Sequence, residues 1–143
     1  MSASTDAIPS GYAPHSRRSP VTEPWEPLYS KTVGTALFLA LRVREAHCNG
    51  KGFVHGGLIS ALADNAMGYS IQATRAQPGS ETTSRRGVTV HLSVDFLGSA
   101  QVGQWLEFQP RVLRVGGSLA VADCLIEADG KLVARADATF RLG

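Results

Sequence analysis

The run Asn49 to Ser70, NGKGFVHGGLISALADNAMGYS, limits what this chain can fold into more than any other stretch. It opens as a polar, glycine-rich loop and turns at His55-Gly56-Gly57 into a helix of about four turns. From Gly56 to Thr74 the only charged side chain is Asp64. A surface helix alternates charges with its apolar stripe, whereas a helix almost free of charge is buried on most sides. A lone carboxylate inside it is costly unless it is paired, hydrogen-bonded or protonated. At about 100° per residue, Gly57, Ala61, Asp64 and Gly68 share one narrow face, while Leu58, Ile59, Leu62 and Tyr69 gather on another. Small neighbours on the Asp64 face let a second backbone or a ligand come close. Asp64 is therefore either a structural acid bonded to nearby backbone or a site residue, since perturbed carboxylates cluster at functional sites.

The whole 143-residue chain sets the frame around this helix. Its length suits one domain with a core that needs no staples. No apolar run reaches the ~18 residues of a membrane span, and the N-terminus lacks the apolar centre of a signal peptide. Cys48 and Cys124 are too few and too far apart for a disulfide framework or a zinc site, so neither metal nor cofactor is expected and a cytoplasmic location fits. A net charge of +2 is too weak to argue for nucleic acid. The eleven arginines against three lysines suit phosphate recognition.

Residues 1–24 are rich in Ser, Pro, Thr and Ala without periodicity and read as a flexible N-terminal tail; residues 25–143 read as the folded domain. Removing Met1 to Ser19 takes away no periodic apolar residue, so stability is expected to survive it. Thr35 to Ala46 alternates as a strand, with Leu37, Leu39, Leu41 and Val43 on one face. Beyond the helix, Arg75 to Gly87 is a polar connector with a turn signal at Pro78-Gly79. The strand period then continues to the end. Val88, Val90, Leu92, Val94 and Phe96 alternate with Thr89, His91, Ser93 and Asp95. Gln104 to Val115 and Leu119 to Ala128 flank Gly116-Gly117, and Asp129-Gly130 marks a second tight turn. In the last strand Leu132, Ala134, Ala136, Ala138 and Phe140 form one face, whose alanines leave room for a close helix. No internal repeat is present. The order is one or two strands, one long helix, then four strands in a meander, which one antiparallel sheet wrapped around the helix satisfies. Apolar residues left on the outer strand faces call for a second copy, a homodimer at least and by extension a homotetramer.

This arrangement resembles the α+β hot-dog fold. Asn49, His55-Gly56-Gly57 and Asp64, at their mutual spacing, resemble the signature of the PaaI-like and thioesterase superfamily member 2-like acyl-CoA thioesterases. Gly87-Val88-Thr89-Val90 matches a later strand of that family, and the resemblance spans about Trp25 to Gly143. It implies hydrolysis of an acyl-CoA substrate with Asp64 as general base or nucleophile. Such chemistry needs either a deprotonated water or an attacking carboxylate. The resemblance further implies that the Gly56 N–H polarises the thioester oxygen, a task glycine suits because no side chain blocks the approach. Asn49 would assist that polarisation or hold the water, and Thr89 would orient the water beside the acid. His55 is left either as a catalytic imidazole or as an anchor of the glycine-rich turn. His91 either tunes Asp64 or lines the sheet.

The phosphates of CoA call for cations near the site mouth. Arg85, Arg86, Arg114 and Lys51 are the candidates, although Gly117 stands where some relatives carry a basic residue. Cys48 beside His47 makes a poor nucleophile–base couple, because neighbours on a strand point to opposite faces. Two further functions compete: an acyl-CoA-binding regulatory module without turnover, and a hot-dog hydratase or dehydratase, against which the HGG-plus-Asp helix argues. Tyr69 and Phe53 suit an aromatic or medium-chain acyl group.

Overall fold

A computed structural model of the chain describes residues 7–76 and 87–143. Arg85, Arg86 and the Pro78-Gly79 turn lie outside the described residues. One long helix, α1 (Gly56–Arg75), packs against a seven-stranded antiparallel sheet. In chain order the strands are β1 (Ala13–Pro14), β2 (Tyr29–Val33), β3 (Ala36–Arg42), β4 (Val88–Phe96), β5 (Trp105–Val115), β6 (Leu119–Ala128) and β7 (Lys131–Arg141). Their order across the sheet is β1-β2-β3-β5-β6-β7-β4. The expected helix wrapped by one sheet is what forms.

The four-strand meander is corrected in one respect. β5, β6 and β7 do follow one another, but β5 pairs with β3 and β4 pairs with β7. The strand after the helix therefore occupies the far edge of the sheet, where one side of its backbone has no partner among the described residues. Asp129 and Gly130, at φ 49° and 81°, turn β6 into β7 as the Asp-Gly pair predicts.

The helix buries Leu58, Ile59, Leu62, Ala63, Ala66, Met67, Ser70 and Ile71 against the sheet. Each large apolar side chain so buried is worth about 1.5–3 kcal/mol. Opposite them lies an alanine floor, Ala120, Ala122, Ala134, Ala136 and Ala138, all buried. With only a methyl at each position, α1 can lie close to the strands. Ser70 also ties the layers together: its hydroxyl donates to Ala66 O at 2.7 Å and accepts from Leu37 N–H at 2.9 Å. Tyr69 does not belong to the buried face, contrary to the grouping by period. It is half-buried beside Gly68 and Gln72 on the Asp64 side.

Three register slips shift the strand faces away from simple alternation, one of them between Val112 and Arg114 of β5. The register slips between Thr89 and His91, so Thr89 pairs with buried Phe140 while His91 pairs with Thr139. A bulge adds one residue to a strand and reverses which side the next residues face. Thr89 consequently shares the helix side with Leu92, Val94 and Phe96, and His91, Ser93 and Asp95 point the other way. A second slip opposite Ile126 and Glu127 leaves Val133 buried and Leu132 40% exposed, the reverse of strict alternation.

The segment expected to be a flexible tail instead lies, from Ala7 on, along the body of the fold. Ala13 and Pro14 pair with Ser30 and Tyr29, and His15 N–H donates to Leu28 O at 2.8 Å. Tyr12 donates its hydroxyl to Glu107 at 2.6 Å and meets the Trp105 ring edge-on. The Arg42 guanidinium reaches Ala7 O, and that of Arg44 reaches Pro24 O and Glu26 O. Its anchors are hydrogen bonds and single aromatic contacts, none of which a periodicity search detects. No helix among the described residues is long and apolar enough to cross a membrane.

Candidate active site

The loop before α1 is fixed by its own polar groups. Asn49 Oδ1 accepts from Lys51 N–H at 2.9 Å and from Phe53 N–H at 3.2 Å. An Asn amide has one acceptor oxygen and two donor hydrogens. With the oxygen engaged, the Nδ2 donors of this exposed residue have no partner among the described residues. Behind the loop, His47 is buried with both ring nitrogens satisfied: Nδ1 accepts from Arg44 N–H, and Nε2–H donates to Trp25 O. Burial holds its pKa below the usual imidazole value. His47 O in turn accepts from His55 N–H at 2.9 Å. His47 is a structural pin, and Cys48, whose thiol pKa is pushed up by burial, donates to Arg44 O rather than to a base.

His55 caps the helix. Its Nδ1 accepts from Gly57 N–H at 2.8 Å, satisfying one of the free donors of the first turn. That geometry demands glycine at 57, because a Cβ there would lie 2.9 Å from the same Nδ1. Gly56 has a similar reason: a Cβ on it would come within 3.0 Å of the Phe96 ring. His55, Gly57, His47, Cys48, Trp25 and Leu58 line a cavity of about 360 Å³.

Asp64 belongs to a different cavity, of about 600 Å³. Its Oδ1 accepts a 2.7 Å hydrogen bond from the Thr89 hydroxyl. The bulge after Thr89 makes this possible by keeping the hydroxyl on the helix side. A carboxylate held through one oxygen leaves the other free to take a proton or to attack. Gly68, Tyr69 and Gln72 continue the same helix face along the cavity, and Arg17, Arg18 and Ser19 close it from the N-terminal segment.

Of the residues singled out from the sequence, Asp64 and Thr89 are brought together. Asn49, His55 and Gly56 gather about two turns away at the helix N-terminus, and none of the three lines the Asp64 cavity. Lys51 is exposed on the Asn49 loop. Arg114 pairs in register with Val121, on the sheet face away from buried Ala120 and Ala122 and from the Asp64 cavity. No cluster of His, Cys, Asp or Glu among the described residues could hold a metal ion. Arg17 and Arg18 line the Asp64 cavity, whereas the sequence reading favours a solvated tail for this pair over a phosphate contact.

The Thr89–Asp64 bond predicts the effect of Thr89→Val, which keeps the shape and removes the hydroxyl. A hydrogen bond to a charged group contributes about 1.5–3 kcal/mol. Turnover is expected to fall by at least about tenfold with little change in melting temperature. Steady-state rates beside a thermal melt check this; an unchanged kcat would remove Thr89 from the chemistry.

Residues 51–134 match the family model described as the thioesterase superfamily. A putative esterase from Pseudomonas aeruginosa is 38% identical over 136 residues, covering 94% of this chain and 97% of its own length. Human acyl-coenzyme A thioesterase 13 is 32% identical over 106 residues, 72% of this chain and 70% of that protein. A Streptococcus mutans protein crystallised with acetyl-CoA superposes with a TM-score of 0.67 at 25% identity, over 76% of this chain and 82% of the other.

Proposed function

Since the chain belongs to the thioesterase superfamily and has its hot-dog fold, we propose that it hydrolyses acyl-CoA thioesters to free acid and CoA. The observation that carries this reading is the Asp64 carboxylate, held by Thr89 at the edge of a substrate-sized cavity. Asp64 Oδ2 either takes a proton from a water that attacks the thioester carbonyl or attacks that carbon itself. In both routes the carbonyl oxygen gains negative charge as the C–S bond weakens. The Gly56 N–H at the start of α1 and the Nδ2 donors of Asn49 stabilise that charge. His55 keeps the Gly56-Gly57 turn in place through its bond to Gly57 N–H.

These two halves act in one site only if they come from different chains. Gly56 and Asp64 are ~12 Å apart along α1 at 1.5 Å per residue, whereas reacting groups must approach to about 3–3.5 Å. A second copy, set beside the first along the unpaired edge of β4, supplies the missing half. That edge carries Val88, Val90 and Phe96, each more than half exposed in the single chain. The acting unit is therefore a homodimer.

Release of CoA thiol from a panel of short, medium and aromatic acyl-CoAs, followed with a thiol-reactive dye, tests the reaction. Turnover well above the buffer rate is expected on at least one of them. Tight binding of acyl-CoA without thiol release would instead make the protein a sensor.

A further inference from the structure

The cavity beside Asp64 is unusually rich in cations for a site meant to take an acyl chain. Arg17, Arg18 and Arg75 line it, and Asp64 is the one acid among its described lining residues. Arg17 is the best placed of the three. Its Nη1 donates to Gln72 Oε1 at 2.8 Å, and its guanidinium carbon lies 4.8 Å from the centre of the Tyr69 ring. Tyr69 is held in turn by the His15 ring at 5.4 Å, and His15 bonds Ser30 at 3.1 Å. The chain on either side is anchored by the β1–β2 pairing and by Ser19 O, which accepts from Thr22 and Glu23 N–H. Arg18, Arg111 and Arg135 each pair with a carboxylate, Glu26, Asp123 and Asp95. Arg17 is instead held by an amide and an aromatic face, with no carboxylate in ion-pair range among the described residues. A guanidinium fixed by neutral partners keeps its full charge and several N–H donors for an incoming anion.

We propose, on the thioesterase reading above, that Arg17 is a specificity residue: it receives a carboxylate at the far end of the acyl chain, so that the preferred substrates are CoA monothioesters of dicarboxylic acids. The spacing supports an acyl carboxylate over a CoA phosphate. Gln72, which holds Arg17, is ~12 Å beyond Asp64 along α1. That is within reach of a medium-length acyl chain from a thioester at Asp64, and shorter than the extended pantetheine arm separating the thioester from the CoA phosphates. Gly68, between the two, leaves the groove open for the chain; a Cβ there would enter the space beside Phe140.

The test compares adipyl-CoA with hexanoyl-CoA, which differ in the terminal carboxylate. The wild-type protein is expected to favour adipyl-CoA in kcat/KM. In Arg17→Gln the adipyl-to-hexanoyl ratio should fall by at least about tenfold, mainly through KM, and Arg17→Lys should restore part of it. Thermal melts confirm that both variants fold. An unchanged ratio in Arg17→Gln overturns the proposal. So does an equal loss on both substrates accompanied by weaker inhibition by free CoA, which would assign Arg17 to a phosphate. A parallel measurement separates this from failure of the hydrolase reading: adipate should raise the melting temperature of wild type more than hexanoate does, and Arg17→Gln should abolish the difference. If no acyl-CoA is hydrolysed, that melting comparison still decides whether Arg17 binds a carboxylate.

Discussion

Replacing Asp64 by Asn is expected to lower kcat by two or more orders of magnitude while the fold and the affinity for acyl-CoA persist. The amide is nearly the same size, and its oxygen can still accept from the Thr89 hydroxyl at the position now 2.7 Å away. The buried face of α1, from Leu58 to Ile71, is untouched, so the packing that holds the helix is preserved. What disappears is the second oxygen as a base or nucleophile. An amide nitrogen neither accepts a proton nor attacks a carbonyl, and general-base catalysis alone contributes about 10²–10⁴-fold. The loss should therefore appear in kcat, with KM near its original value if binding precedes the chemistry. Rates on the best acyl-CoA of the panel, beside equilibrium binding of the same compound, make the distinction. A drop of less than tenfold would take the chemistry away from Asp64.

The features legible beforehand were those with local causes. The scarcity of charge between Gly56 and Thr74 announces a buried helix, and the alanines of β7 announce the close floor beneath it. The Asp129-Gly130 turn follows from backbone preference alone. Strand parity around Thr89 did not follow, because Val88-Thr89-Val90-His91 alternates without a break and nothing in it marks the bulge. Yet the bulge decides that Thr89 faces Asp64 and His91 does not. Placing β4 beside β7 depends on pairings between residues far apart in the chain, which no local pattern encodes. The N-terminal segment was misjudged for a different reason. Its order comes from Tyr12 on Glu107, His15 on Ser30 and Arg17 on Gln72, one polar contact at a time. Such contacts leave no period, and a composition rich in Ser and Pro hides them.

Mixing two dead variants should recover about a quarter of wild-type activity if, as proposed above, the site is assembled from two chains. In one chain the Asp64 cavity contains neither Asn49 nor Gly56, and the helix keeps Gly56 and Asp64 ~12 Å apart. A rigid helix cannot close that gap, so one thioester cannot touch both within a single chain. If a second copy brings its Asn49 loop to the first copy's Asp64, Asn49→Ala and Asp64→Asn disable every site of their own homodimers. In a mixed dimer, one site combines both defects. The other combines native Asn49 from one chain with native Asp64 from its partner. Random pairing on co-expression makes about half of the dimers mixed, each with one restored site out of two. Activity per site would then approach a quarter of wild type, where each variant alone stays near background. Were each site complete within its own chain, every site in the mixture would carry one defect, and co-expression would restore nothing. Size-exclusion chromatography of the mixture, with a different affinity tag on each variant, confirms that mixed dimers formed. Tag-purified mixed dimers should reach about half of wild-type activity per dimer. A preparation of them that remained inactive would confine the site to one chain.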